Sequence, residues 1–377
     1  MTTRDSRLLT LPLVFVLSTP VFAADAAARS APDKAGTIQF KNSLPGGNLA
    51  KEELDAKGKR MLEELKASKL KIIHETYRDG NWEFAIMNAD GSNPVNITQT
   101  PTVHELFPHA SPDGKRVVFL ADVGEGKERT RNVYTMNIDG TGRVKVGENG
   151  RQPFWSPDGK LIGFSKGTFV NCHGEGDNKG LYFYNLETGE YFQHAKKDMA
   201  GLVNPGWSPD GKWIISSAMG GMGFNHSIVA IEANGTKVVE LRRSVFTAPK
   251  AVQCRPDISP HGNEIAWGIE TGPDTAEWVE VGDIDLTQSE PEVTNRRYVV
   301  GVPFPLQTYH VDWSPDGKYI AYSEGGRGTR MEPAGCFVGM KAQGWDIWVV
   351  KPSEPGVVVR LTFDGLSNKE PDWVLVE

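Results

Sequence analysis

The sequence predicts an all-β protein, a six-bladed β-propeller closed by its C-terminal strand, with a short helical arm ahead of it. Three observations carry this reading. A strand–turn–strand unit recurs, with the turn written Ser-Pro-Asp-Gly at Ser111, Ser156, Ser208 and Ser314 and Ser-Pro-His-Gly at Ser259. Successive serines are about 45, 52, 51 and 55 residues apart, inside the range of propeller repeats. The two ends are complementary, since Leu70 opens a blade without a leading strand and Pro371-Asp372-Trp373-Val374-Leu375-Val376 is a leading strand without a blade.

The turn has a physical logic. Pro315 presets φ at the second position of a type I turn, Asp316 hydrogen-bonds local backbone, and Gly317 relieves the fourth position. Trp313 before it and Ile320 and Tyr322 after it favour strands. One such unit cannot bury both faces of its own small sheet, and a ring of them can.

From the N-terminus, residues 1–23 read as a secretory signal. Arg4 and Arg7 precede an apolar run from Leu8 to Phe22, and Val21-Phe22-Ala23 ends it as a small-residue cleavage site. The run is too short for a membrane span and contains Pro12 and Pro20. The expected product is soluble and periplasmic or otherwise secreted, without a membrane span after signal removal, and monomeric. A net charge of −7 gives no basic excess for nucleic acid. Residues 24–69 read as a flexible arm and a short helix. The helix is expected from an Asn48 cap to about Lys69, with Leu54, Met61, Leu62 and Leu65 packing on the ring.

Residues 70–377 hold the propeller. In the first blade the strands are Lys71 to Thr76, Trp82 to Met87 and Val95 to Thr98, and the last strand of the chain supplies the missing edge partner. Third strands elsewhere are Asn132 to Met136, Leu181 to Tyr184, Ile228 to Ile231, Trp278 to Val281 and Asp346 to Val350.

The Trp-Ser-Pro-Asp-Gly-Lys repeat, with turns such as Asn88-Ala89-Asp90-Gly91 and Asn137-Ile138-Asp139-Gly140, resembles the TolB-like, WD-repeat-like propeller family over roughly residues 70–377. TolB itself carries a sizeable α/β domain before its propeller, for which residues 24–69 are too short. The same blades occur in oligogalacturonate lyase and beside the hydrolase domain of prolyl oligopeptidases, so the resemblance implies a fold more than an activity. No Gly-x-Ser-x-Gly elbow accompanies them.

The short Ser-Pro-Asp-Gly turns mark a plain rim. The long segments, 166–180, 218–225, 242–255, 301–309 and 324–344, fall on the opposite one, where binding is expected. The ligand-binding candidates His104, Glu105, His226, Arg255, His310 and Glu370 are all assigned to that rim, outside the repeat strands. So are the thiols Cys172, Cys254 and Cys336, with His173 beside the first. Three thiols permit one disulfide, for which Cys254–Cys336 is the preferred pair, or separate thiols, or metal ligation. His226 and His310 are the candidate ligands for a divalent metal ion; His74 and His109 read as packed near strand ends. Two functions remain open: a binding propeller that holds a protein or glycan partner on its long-loop rim, and a metal-dependent enzyme resembling oligogalacturonate lyase, with Arg255 stabilising charge on an acidic saccharide.

Overall fold

A computed structural model describes residues 53–124, 129–167, 178–246, 252–270, 277–302, 306–326 and 345–376. They form six four-stranded antiparallel sheets arranged as a propeller. Blade one is composite: Ser367–Leu375 is its inner strand, followed outward by Leu70–Arg78, Asn81–Asn88 and Val95–Asn96. The inner strands of blades two to six are His104–Ala110, Gly150–Trp155, Leu202–Trp207, Val252–Ile258 and Leu306–Trp313. Closure takes the expected form, with Ile72 opposite Trp373 and Ile73 opposite Asp372.

The turn motif folds as its residues dictate. In blade three, Gly159 N donates to Ser156 O at 2.9 Å, closing the turn. Asp158 Oδ1 accepts both the Ser156 hydroxyl (2.6 Å) and the Lys160 N–H (3.1 Å). The Ser156 Oγ in turn accepts the Leu161 N–H at 2.9 Å. The glycine of blade two is needed for a second reason: Gly114 has φ +68°, and a Cβ there would lie 1.8 Å from the Leu375 carbonyl oxygen.

Apolar side chains on both sheet faces pack between blades. Ile73, Phe84 and Ile86 of blade one meet Val117, Phe119 and Ala121 of blade two, all at most 1% exposed. Trp155, Trp313 and Trp373 are buried, whereas Trp207 is half-buried and packs on Phe154 and Phe183. The helix is shorter than the sequence suggested, Ala56–Ala67, and Asp55 caps it by accepting the Gly58 N–H at 2.7 Å. Asn48, expected as the cap, lies outside the described residues. Met61 and Leu65 pack with Ile347, Val349 and Trp373, and Glu64 takes bonds from Tyr319 and Lys351.

Candidate functional site in the central channel

The site is built from one defect repeated six times. Each inner strand carries a bulge, where its pairing with the second strand shifts register. The bulge residue has positive φ in every blade: Phe107, Gln152, Asn204, Arg255, His310 and Glu370, all between +49° and +52°. Such backbone is uncommon for residues other than glycine, and six equivalent copies mark a designed feature of the scaffold. Proline follows in five of the six, at 108, 153, 205, 256 and 371. A proline is tolerated here because an inner strand has no partner on its channel side.

Four of the bulge amides donate to the preceding blade. Phe107 N donates to Glu75 Oε2 (3.2 Å), Arg255 N to Ser217 Oγ (2.8 Å) and Glu370 N to Ser323 Oγ (3.1 Å). Asn204 N donates to Gln152 Oε1 at 2.9 Å. Two residues beyond the bulge, aspartates repeat the device. Asp257 accepts the Trp313 N–H (2.7 Å), Asp312 the Trp373 N–H (2.8 Å), and Asp372 the Ala110 N–H (2.9 Å).

The bulge residues stand between two chambers. Toward the long connections lies a cavity of ≈ 490 Å³ lined by, among others, Phe107, Gln152, His226, Arg255, Tyr309 and His310. Toward the plain rim lies a cavity of ≈ 160 Å³ lined by His109, Asn204, Asp257, His310, Asp312 and Asp372. His310 borders both.

Charge is concentrated at this level. Arg255 Nη1 donates to Glu370 Oε1 at 3.0 Å, its Nη2 to the Tyr309 hydroxyl, and its guanidinium lies 3.5 Å from the Tyr309 ring centroid. His310 Nδ1 lies 2.8 Å from Glu370 Oε2. Burial would raise the Glu370 carboxyl, but Arg255, His310 and Lys369 hold it down to about 2. Glu75 behaves oppositely, because burial and the neighbouring Glu370 push it up to about 8. Burial pushes the Lys369 ammonium down to about 8 against the pull of Glu370 and Glu75. In the smaller chamber, burial and Asp372 push Asp257 up to about 7, and burial with Asp372 and Asp257 pushes Asp312 well up.

The sequence-derived candidates separate into three groups. Arg255, His310 and Glu370 meet in one cluster, but as bulge residues inside inner strands and not in rim loops. His104 and Glu105 open the inner strand of blade two, and Glu105 is buried against Arg143 and Thr100, away from that cluster. His226 stands in the connection before Ser227–Glu232 and lines the larger chamber. Cys254 lies in the inner strand Val252–Ile258, where a repeat strand had been expected to begin later, and burial is the chief cause that pushes its thiol up. Cys172, His173 and Cys336 lie outside the described residues, and with them the Cys254–Cys336 pairing. Sequence reasoning missed Glu75, Tyr309, Lys369 and the three aspartates. The aspartates had a signal, since each stands two residues before a Ser-Pro or, for Asp372, one before the equivalent tryptophan.

No group of three or more His, Cys, Asp or Glu side chains among the described residues has the disposition of a metal centre. His226 and His310 line the same chamber and belong to no such group among the described residues.

No family model and no curated protein sequence matches the chain. Solved structures do resemble it. A hydrazine synthase from Kuenenia stuttgartiensis superposes with a TM-score of 0.55 at 13% identity, over 84% of this chain and 48% of that one. A protein assigned as TolB from Agrobacterium tumefaciens gives 0.43 at 17%, over 62% and 88%. An oligogalacturonate lyase from Vibrio parahaemolyticus gives 0.45 at 13%, over 85% and 79%. At these identities the likeness concerns the fold alone, and the chain is a six-bladed β-propeller.

Proposed function

We propose that this chain is an exported binding propeller, which holds a glycan or an extended segment of a protein partner in the larger chamber of its channel. The observation that carries the reading is the ≈ 490 Å³ cavity, with walls from five inner strands, at the end of the channel that faces the long connections. Its lining alternates apolar faces (Phe107, Val203, Ile269) with hydrogen-bonding groups (Gln152, Gln307, Thr308). That mixture suits a ligand with both C–H faces and hydroxyl or amide groups. Export rests on the Arg4–Ala23 pattern, and among the described residues no helix is long and apolar enough to cross a membrane. Among the described residues no donor set supports the reading as a metal-dependent lyase.

The test is a screen of purified protein on a glycan array and against peptide libraries, followed by calorimetry with the best ligand. Met219→Trp, at the chamber wall, should abolish binding without lowering thermal stability. Unchanged affinity in that variant would place the ligand elsewhere.

A further inference from the structure

The channel holds an amine that the binding reading does not use. Lys369 lies in the inner strand of blade one, one residue before the Glu370 bulge, and is 2% exposed. Its Nζ sits 4.3 Å from the centroid of the Tyr309 ring and 4.6 Å from that of Trp345. Neither a hydrogen bond nor an ion pair within 4.0 Å is made by it among the described residues; the adjacent Glu370 carboxylate is already shared between Arg255 and His310. Across the strand pair its direct partner is Glu75, which places the two Cβ atoms about 4.5–5.5 Å apart. Tyr309 itself lines the larger chamber, so the amine lies one ring away from it.

We propose that Lys369 is a covalent capture site for small aldehydes and ketones, with Glu75 as its proton partner. The amine lone pair attacks the carbonyl carbon, and the Glu75 carboxyl protonates the carbonyl oxygen to give a carbinolamine. The nitrogen then returns a proton to the Glu75 carboxylate, which passes it to the departing hydroxyl. Water leaves and a C=N bond remains, with no oxidant or reductant consumed. The two ring faces attract an ammonium, but removal from water outweighs that pull and pushes this group down to about 8, against about 10.4 for a free lysine. This activity is independent of whether the chamber also holds a glycan or peptide.

The experiment uses the wild-type protein with glycolaldehyde and cyanoborohydride at pH 7.5, followed by peptide mass mapping over time. Lys369 should carry the first hydroxyethyl adduct, at a rate about tenfold or more above exposed lysines such as Lys160 and Lys212. Its labelling should reach half-maximum near pH 8. Glu75→Gln, which retains an acceptor for the Phe107 N–H, should slow the adduct at Lys369 and leave the exposed lysines unchanged. An unmodified Lys369 beside labelled surface lysines overturns the proposal, and an unchanged Lys369 rate in Glu75→Gln overturns the role given to Glu75.

Discussion

The Asp372 carboxylate lies 2.8 Å from His109 Nδ1 and 2.9 Å from the Ala110 N–H, joining residues 263 and 262 positions apart in sequence. One side chain thus ties the inner strand of blade one to that of blade two. Burial would lower the His109 imidazolium, but Asp372, Glu370 and Asp257 raise it.

Removal of residues 371–377 should therefore open the ring as a whole. It takes away Asp372 and Trp373, leaves the Leu70–Ile73 part of the strand edge unpaired, and uncovers Ile72 and Ile73. The expected result is loss of a single cooperative thermal transition, read by calorimetry. A truncated chain that unfolds like the full one would show that closure contributes little.

Stability should peak in mildly acidic solution. Asp257 is raised in the folded state to about 7 and Glu75 to about 8, so the folded protein binds more protons than the unfolded chain between pH 4 and 8. What these groups contribute is complete below their unfolded values and lost as pH rises through 7 to 8. Glu370, held down to about 2, works in the opposite sense: its contribution is present above 4.5 and lost as pH falls toward 2. Melting temperature should thus be higher near pH 5 than at pH 8, and Asp257→Asn should flatten that slope. A melting temperature that climbs steadily from pH 5 to 8 contradicts the assignment.

Glu370→Gln should be costly out of proportion to its size. The variant leaves the Arg255 guanidinium buried with the Tyr309 ring and hydroxyl as its remaining partners, and breaking a buried ion pair on one side costs about 3–5 kcal/mol. Chemical denaturation should show the loss in the midpoint. A second change, Arg255→Met, should recover much of it, because the unpaired charge is then gone.

The equivalent tryptophans should not respond alike. Trp155→Ala and Trp313→Ala remove buried rings, and each should cost about 3–5 kcal/mol. Trp155 also loses its 2.8 Å bond to the His109 carbonyl. Trp207→Ala should cost less, since that ring is half-buried. Equal losses at all three positions, measured by urea denaturation, would contradict this ordering.

The blades were legible because their turns depend on local chemistry. Pro157, Asp158 and Gly159 each act within a few residues of themselves, so the motif announces its own geometry, and its period counts the blades. The channel was less legible. Arg255 closes the long segment 242–255 and Glu370 precedes the strand read from Pro371, so both residues were assigned to the rim. The inner strand tolerates the proline only because its channel side has no partner, which no local pattern reveals. Lys369 and Glu75 were hidden for a different reason. Their meeting is made by ring closure, and either residue alone resembles any charged residue in a strand.

That closure also sets when the molecule can fold. Within the propeller the strand Leu70–Arg78 is made first and its inner partner Ser367–Leu375 last, so the ring has no complete first blade until all six sheets have been made. Joining ends this distant costs about 5 kcal/mol in chain entropy, and topologies dominated by distant pairings form slowly. The nascent ring thus stays open through most of its synthesis, and a single late pairing event completes it.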